Sequence, residues 1–138
     1  MRGKTMSQTD QVTQTDQLLA NAREYEAGFD KGGPAGGVVD DDAIRSLAIS
    51  QNLLGTEEIL LIYHTDCGML TFTDEQLAQQ LEDETGQRPA WSAHAFDDLE
   101  ADLRAGVEKI KASPFVPRTE SVRGFVYEVE TGALREVS

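Results

Sequence analysis

Two side chains with metal-binding chemistry stand three residues apart in this 138-residue chain. His64 and Cys67 lie in the stretch EEILLIYHTDCGMLTFTDEQL, residues 57–77; Cys67 is the only cysteine and His64 one of two histidines. Imidazole and thiolate are donors that zinc favours, and two intervening residues let both turn toward one point. Gly68 lets the backbone turn sharply beside them. A catalytic zinc usually has three protein donors, so a lone pair falls short. Each residue also has a plainer reading: a free cysteine packs as a small hydrophobe, and a histidine at a strand end is often held by hydrogen bonds alone. Cys67 beside a helix start could also be a nucleophile of lowered pKa. Its base is missing, because His94 sits in a Trp-Ser-Ala-His loop before a separate helix and reads as an exposed loop residue. Asp66 is a turn residue by default, with a general base or a hydrogen-bond partner of His64 as the sharper alternatives.

The elements that must position these groups are legible. Ile59 to Tyr63 is a short, wholly apolar run, the pattern of a central strand covered on both faces. It delivers His64 and Cys67 onto a loop that enters a helix, a favoured place for chemistry in open α/β sheets. Thr73 with Gln76 is a capping-box pattern, so a helix is expected from about Asp74 to Glu84. Ahead of the strand, helices are expected over Asp16–Phe29, with Asp16 as cap, and over about Asp40–Leu54, with Gly55 closing it. Asp30 to Gly37, rich in Gly and Pro, reads as a loop. A further helix covers Asp97 to Ala112 and stops before Pro114. SVRGFVYEVE and ALREV read as strands joined at a Thr131-Gly132 turn. Residues 1–16 read as a disordered polar tail and residues 17–138 as a single domain.

Composition narrows the setting. The net charge is −13, from 25 acidic and 12 basic residues, which argues against nucleic-acid binding. Four lysines against so many carboxylates suit a soluble protein in high salt, where ions screen self-repulsion. No apolar run approaches the length needed to span a bilayer. The start has no apolar signal region, and one cysteine cannot form an internal disulfide; both fit a reducing, cytoplasmic setting.

HTDCGM at the end of an apolar strand resembles the β-class carbonic anhydrases, particularly their small prokaryotic branch. The segment AGGVVDDDAIRSLAISQNLLGTEEILLIYHTDCGMLTFTDEQL is similar to that family's middle portion. SPFVP and VRGFVYEVETGAL resemble its C-terminal end, and LLANAREYEAGF its N-terminal helix. The resemblance runs from about Leu18 to Val137. It implies an α/β fold, here a truncated form with a small, mostly parallel sheet flanked by helices and a C-terminal hairpin. It also implies Zn²⁺ as cofactor, carbon dioxide and bicarbonate as substrates, and a homodimer or higher homo-oligomer. His64 and Cys67 match the family's histidine and second cysteine ligands. Relatives acting on carbonyl sulfide or carbon disulfide are known in the same family.

One block departs from the family. Its first zinc cysteine stands in a Cys-x-Asp-x-Arg motif, whose Asp and Arg form a dyad, and no cysteine precedes Cys67 here. A strand, a crossover helix and another strand normally separate the first helix from the Ala-Gly-Gly segment. Here only Asp30 to Pro34 intervene, and a crossover needs a dozen or more residues. The departure removes one ligand and the dyad together. It also leaves Ile59–Tyr63 without its strand neighbour, so a row of unpaired backbone groups is expected. A two-fold dimer joining two His64–Cys67 pairs would make a closed, structural Cys₂His₂ site. The chain then reads as a carbonic anhydrase homologue with an incomplete site, or as a non-catalytic interaction or regulatory subunit.

Overall fold

The computed structural model describes residues 12–27 and 38–137. They form α1 (Gln14–Ala27), α2 (Asp41–Leu54), β1 (Glu58–His64), a 3₁₀ turn (Gly68–Leu70), α3 (Asp74–Thr85), α4 (Leu99–Ala112), β2 (Ser121–Tyr127) and β3 (Leu134–Val137). Residues 1–11, Phe29 and the loop expected over residues 30–37 lie outside the described residues.

Capping chemistry sets the helix bounds. The Asp40 carboxylate accepts the Ala43 N–H at 2.8 Å, and Gly55 closes α2 at φ 74°. In α3 the expected capping box forms: the Gln76 N–H donates to Thr73 Oγ1 at 3.1 Å, and the Thr73 N–H donates back to Gln76 Oε1 at 2.8 Å. At α1 the cap is Thr13 rather than Asp16. The Asp16 N–H donates to Thr13 Oγ1 and the Thr13 N–H to Asp16 Oδ2, so Asp16 is the acidic partner inside the first turn.

The sheet has the order β1-β2-β3, with β1 and β2 parallel and β2 and β3 antiparallel. The connection between β2 and β3 is longer than the two-residue turn expected. β2 stops at Tyr127, and the Glu128 carbonyl accepts from Thr131 at 3.2 Å and from Gly132 at 2.8 Å. Gly132 supplies the positive φ of 77° that this tight wrap needs.

α4 covers one face of the sheet. Ile59, Val122, Ile110 and Val39 form one buried cluster, and Tyr63, Leu103, Val126 and Val137 form another. Two glycines permit the close approach. A Cβ on Gly106 would lie 2.9 Å from Leu61 Cδ2, and one on Gly124 would lie 3.2–3.3 Å from Val107 and Leu103. α1 lies against β1 and β3, where both the amide and hydroxyl of buried Thr15 donate to Glu58 Oε2. Arg123 ties this helix to the sheet by pairing with Asp16 and Glu136.

One expectation is corrected. The apolar run of β1 reads as a central strand, yet among the described residues β1 is an edge, as the missing block leads one to expect, with Ile62 41% exposed. Apolarity reports the fate of side chains, not whether both backbone edges are paired. The sheet is therefore mixed: one parallel pair and one antiparallel pair.

Candidate functional site

β1 ends at His64, and the chain turns at once. Asp66 takes a left-handed φ of 53°, and Cys67 opens the 3₁₀ turn, with its carbonyl accepting the Leu70 N–H at 3.1 Å. A short polar residue is among the few non-glycine types that tolerate this backbone. His64 and Cys67 are both buried, and Asp66 is exposed. Nδ1 of His64 lies 2.8 Å from the Thr65 carbonyl. A carbonyl can only accept, so Nδ1 is the donor, which in the neutral ring leaves the lone pair on Nε2. Fixing one nitrogen on a carbonyl is how metal-binding histidines present the other.

Behind the turn, the Tyr63 hydroxyl donates to Asp102 of α4 at 2.6 Å, and its ring packs on Phe96 with centroids 5.5 Å apart. Burial, helped by the Asp102 carboxylate, pushes the Tyr63 phenol well above its ordinary value. Tyr63 is therefore a neutral anchor fixing the end of β1 to the helix layer.

The loop before α4 folds back over this end. The Phe96 N–H donates to the Met69 carbonyl. Asp74, in the first turn of α3, accepts the Ser92 hydroxyl at 2.5 Å and the Ala95 N–H at 2.8 Å. His94 sits between them at φ 56°, its N–H on Ser92 Oγ. These bonds hold the Asp74 carboxyl below the usual carboxylate range, with the nearby imidazole of His94 adding to the effect. Asp40 is lowered in the same sense, first by the Ala43 N–H and less by His94.

The result is a cavity of about 390 Å³ lined by residues from three segments, among them Asp40, His64, Cys67 and His94. His94 is exposed, as its loop position suggests. Its place on the same cavity as Cys67 was not legible, because nothing local to a Trp-Ser-Ala-His loop says which element it will fold against. The signal lay in Asp74, whose second role as a loop anchor is hidden behind its place in a helix start.

The zinc implied by the resemblance can be tested against these donors. His64 and Cys67 fit it in type, in burial and in the tautomer that Thr65 imposes. The set stops there: among the described residues, no three His, Cys, Asp or Glu side chains are grouped closely enough to hold a metal. The donors present do not complete a zinc centre.

No family model matches the chain. Among curated proteins, it is similar to β-carbonic anhydrase 1 of Mycobacterium tuberculosis, 56% identical over 104 residues that take in 75% of this chain and 64% of that protein. It is also similar to the carbon disulfide hydrolase of an Acidianus species, 35% identical over 126 residues that take in 74% of this chain and 62% of that one. That second alignment is longer than the share of this chain within it, so residues of the relative stand opposite none here. The chain thus spans less than two thirds of the length of these relatives. Among solved structures, a carbonic anhydrase from Streptococcus mutans superposes with a TM-score of 0.70 at 29% identity, covering 98% of this chain and 100% of that one. On these similarities of sequence and fold, the chain is a relative of the β-class carbonic anhydrases.

Proposed function

We propose that this chain is a carbonic anhydrase homologue with a partial zinc site, made of His64 and Cys67, directed at carbon dioxide and bicarbonate. What supports the reading is one observation: two zinc-type donors, buried on one cavity at the mouth of β1, with no third grouped closely enough to join them among the described residues. Zinc, when held, would lower the pKa of a bound water. The chain's own part is narrower. Thr65 fixes the imidazole tautomer, the left-handed turn at Asp66 brings Cys67 onto the cavity, and Tyr63 and Phe96 wall it. Asp66 acts through this turn rather than by touching a reacting atom. With two donors in place of three, zinc is held weakly and the isolated chain hydrates carbon dioxide little faster than buffer. A soluble cytoplasmic setting goes with this reading, and no helix among the described residues is long and apolar enough to cross a membrane.

Zinc titration against a competing chelator, paired with stopped-flow hydration, tests it. The expected result is weak binding abolished by Cys67→Ala or His64→Ala, with hydration near the buffer rate. One tightly held zinc per chain with full hydration would overturn the incompleteness. Zinc binding indifferent to both substitutions would overturn the site.

A second reading, a non-catalytic subunit that acts by association, is favoured by the open edge of β1. Mixing with a full-length homologue separates the two readings: a co-eluting complex supports the second.

A further inference from the structure

The connection between β2 and β3 reaches the candidate site through one side chain. The Val129 N–H donates to Thr65 Oγ1 at 3.0 Å, across 64 residues of sequence. The Thr65 N–H donates to the Tyr127 carbonyl at 2.9 Å. Thr65 is thus tied to the end of β2 by its backbone and to the residues just past it by its hydroxyl. That corner is itself braced. The Glu128 N–H donates to the Ala133 carbonyl at 2.8 Å, and the Glu128 carbonyl accepts from Thr131 and Gly132. The Glu128 carboxylate pairs with Arg135, which also pairs with Glu100 of α4. Val129 is buried, so its place is fixed by packing as well.

The two bonds to Thr65 fix different things. β1 ends at His64, and the Thr65 N–H belongs to the peptide between His64 and Thr65. The carbonyl that meets His64 Nδ1 belongs to the next peptide, between Thr65 and Asp66. Its direction is set by rotation about the Thr65 Cα–C bond, just ahead of the left-handed turn at Asp66. A branched side chain has few χ1 positions, and each is compatible with only part of backbone space. Holding Oγ1 on Val129 selects one position and so restricts where the carbonyl can point.

We propose that the Thr65 hydroxyl is a positioning group for His64: held by the Val129 N–H, it aims the Thr65 carbonyl at Nδ1 and so makes Nε2 the unprotonated nitrogen of the neutral ring. The hydrogen bond at one imidazole nitrogen decides what the other can do. The β2–β3 corner, more than fifty residues away in sequence, therefore sets the chemical form in which His64 is presented. The value of that form for zinc rests on the reading of His64 as a donor. The tautomer itself exists in the metal-free chain and is measured there.

Long-range proton–nitrogen NMR of the imidazoles in the full, metal-free chain, with the rings neutral, tests this. In the unmodified chain His64 should carry its proton on Nδ1. Thr65→Val keeps the branched shape and removes the acceptor, and the His64 signals should move toward a mixture of both tautomers. Thr65→Ser keeps the hydroxyl and should restore the Nδ1–H form. The Val129 amide should exchange at least tenfold faster in Thr65→Val than in Thr65→Ser. A hydroxyl that merely stitched the loop to the corner would change that exchange and leave the tautomer alone. If Thr65→Val fails to fold, the unmodified chain and Thr65→Ser still decide. A proton on Nε2 in the unmodified chain would overturn the proposal. So would an Nδ1–H form that survives Thr65→Val or is lost in Thr65→Ser. Zinc affinity is read separately: a partner that orients a metal-binding histidine is commonly worth about 10–100-fold, the loss expected for Thr65→Val. A shifted tautomer with unchanged zinc affinity would support the positioning role and count instead against His64 as a donor.

Discussion

At the end of β1, three consecutive roles fall on residues whose chemistry could not be exchanged. Tyr63 fixes the strand to α4 through Asp102, His64 is turned by the Thr65 carbonyl, and Asp66 takes the backbone conformation that carries Cys67 inward. Tyr63→Phe leaves the Asp102 carboxylate without this donor. It should cost about 1.5–3 kcal/mol, the usual worth of a hydrogen bond to a charged group, read as a lower urea midpoint. The same tyrosine gives a pH signature. Its phenol is raised in the folded state, so the stability it contributes is complete below the ordinary value near 10 and declines above it, as unfolded chains release a proton the folded chain retains. Tyr63→Phe should flatten that alkaline decline, seen by comparing midpoints at pH 9 and about pH 11. On the acid side Asp74 has the opposite sign. Its lowered carboxyl contributes stability above the ordinary value of 3.8, lost as pH falls through the folded value. Asp74→Asn should therefore reduce acid sensitivity and loosen the loop that carries His94.

Elements differ in how far their sequences disclosed them. α2 and α3 were legible almost to the residue, since their caps are local: Asp40 and Gly55 for one, Thr73, Gln76 and Gly86 for the other. His64 and Cys67 on one loop were legible for the same reason. β1 as an edge was legible only through the missing block, not through its apolar run; the long β2–β3 connection and His94 on the cavity were not legible, because each depends on which distant segment packs where. Gln51 is a clear instance. Mid-helix it looks like an ordinary polar surface residue. In the fold it is buried, donating to the Arg118 carbonyl at 2.7 Å and accepting the Arg118 N–H at 2.8 Å, much as a strand would. Gln51→Leu strands both backbone groups and should cost about 1–3 kcal/mol. Gly124→Val would press on Leu103 and Val107, lifting α4 from the sheet, at about 1–3 kcal/mol by denaturant midpoint with an unchanged m-value.

At the scale of the whole molecule, a family fold persists where part of the family's donor set does not. The fold needs α4 on the sheet and α1 behind it, and both are present. On the proposed reading the chemistry needs a third donor close to His64 and Cys67. Among the described residues no third His, Cys, Asp or Glu is grouped with them closely enough to hold a metal, although Asp40 and His94 line the same cavity. Acidity works on a third footing: at a net charge of −13 the chains repel one another, and added salt screens that repulsion. The claim on which the functional reading turns is a zinc held by one sulfur and one imidazole of a single chain. X-ray absorption at the zinc edge of the metal-loaded protein measures this directly. The expected spectrum has one sulfur at about 2.3 Å and one imidazole nitrogen at about 2.0–2.1 Å, with oxygen filling the remaining positions. A spectrum with two sulfurs, or with none, would contradict it.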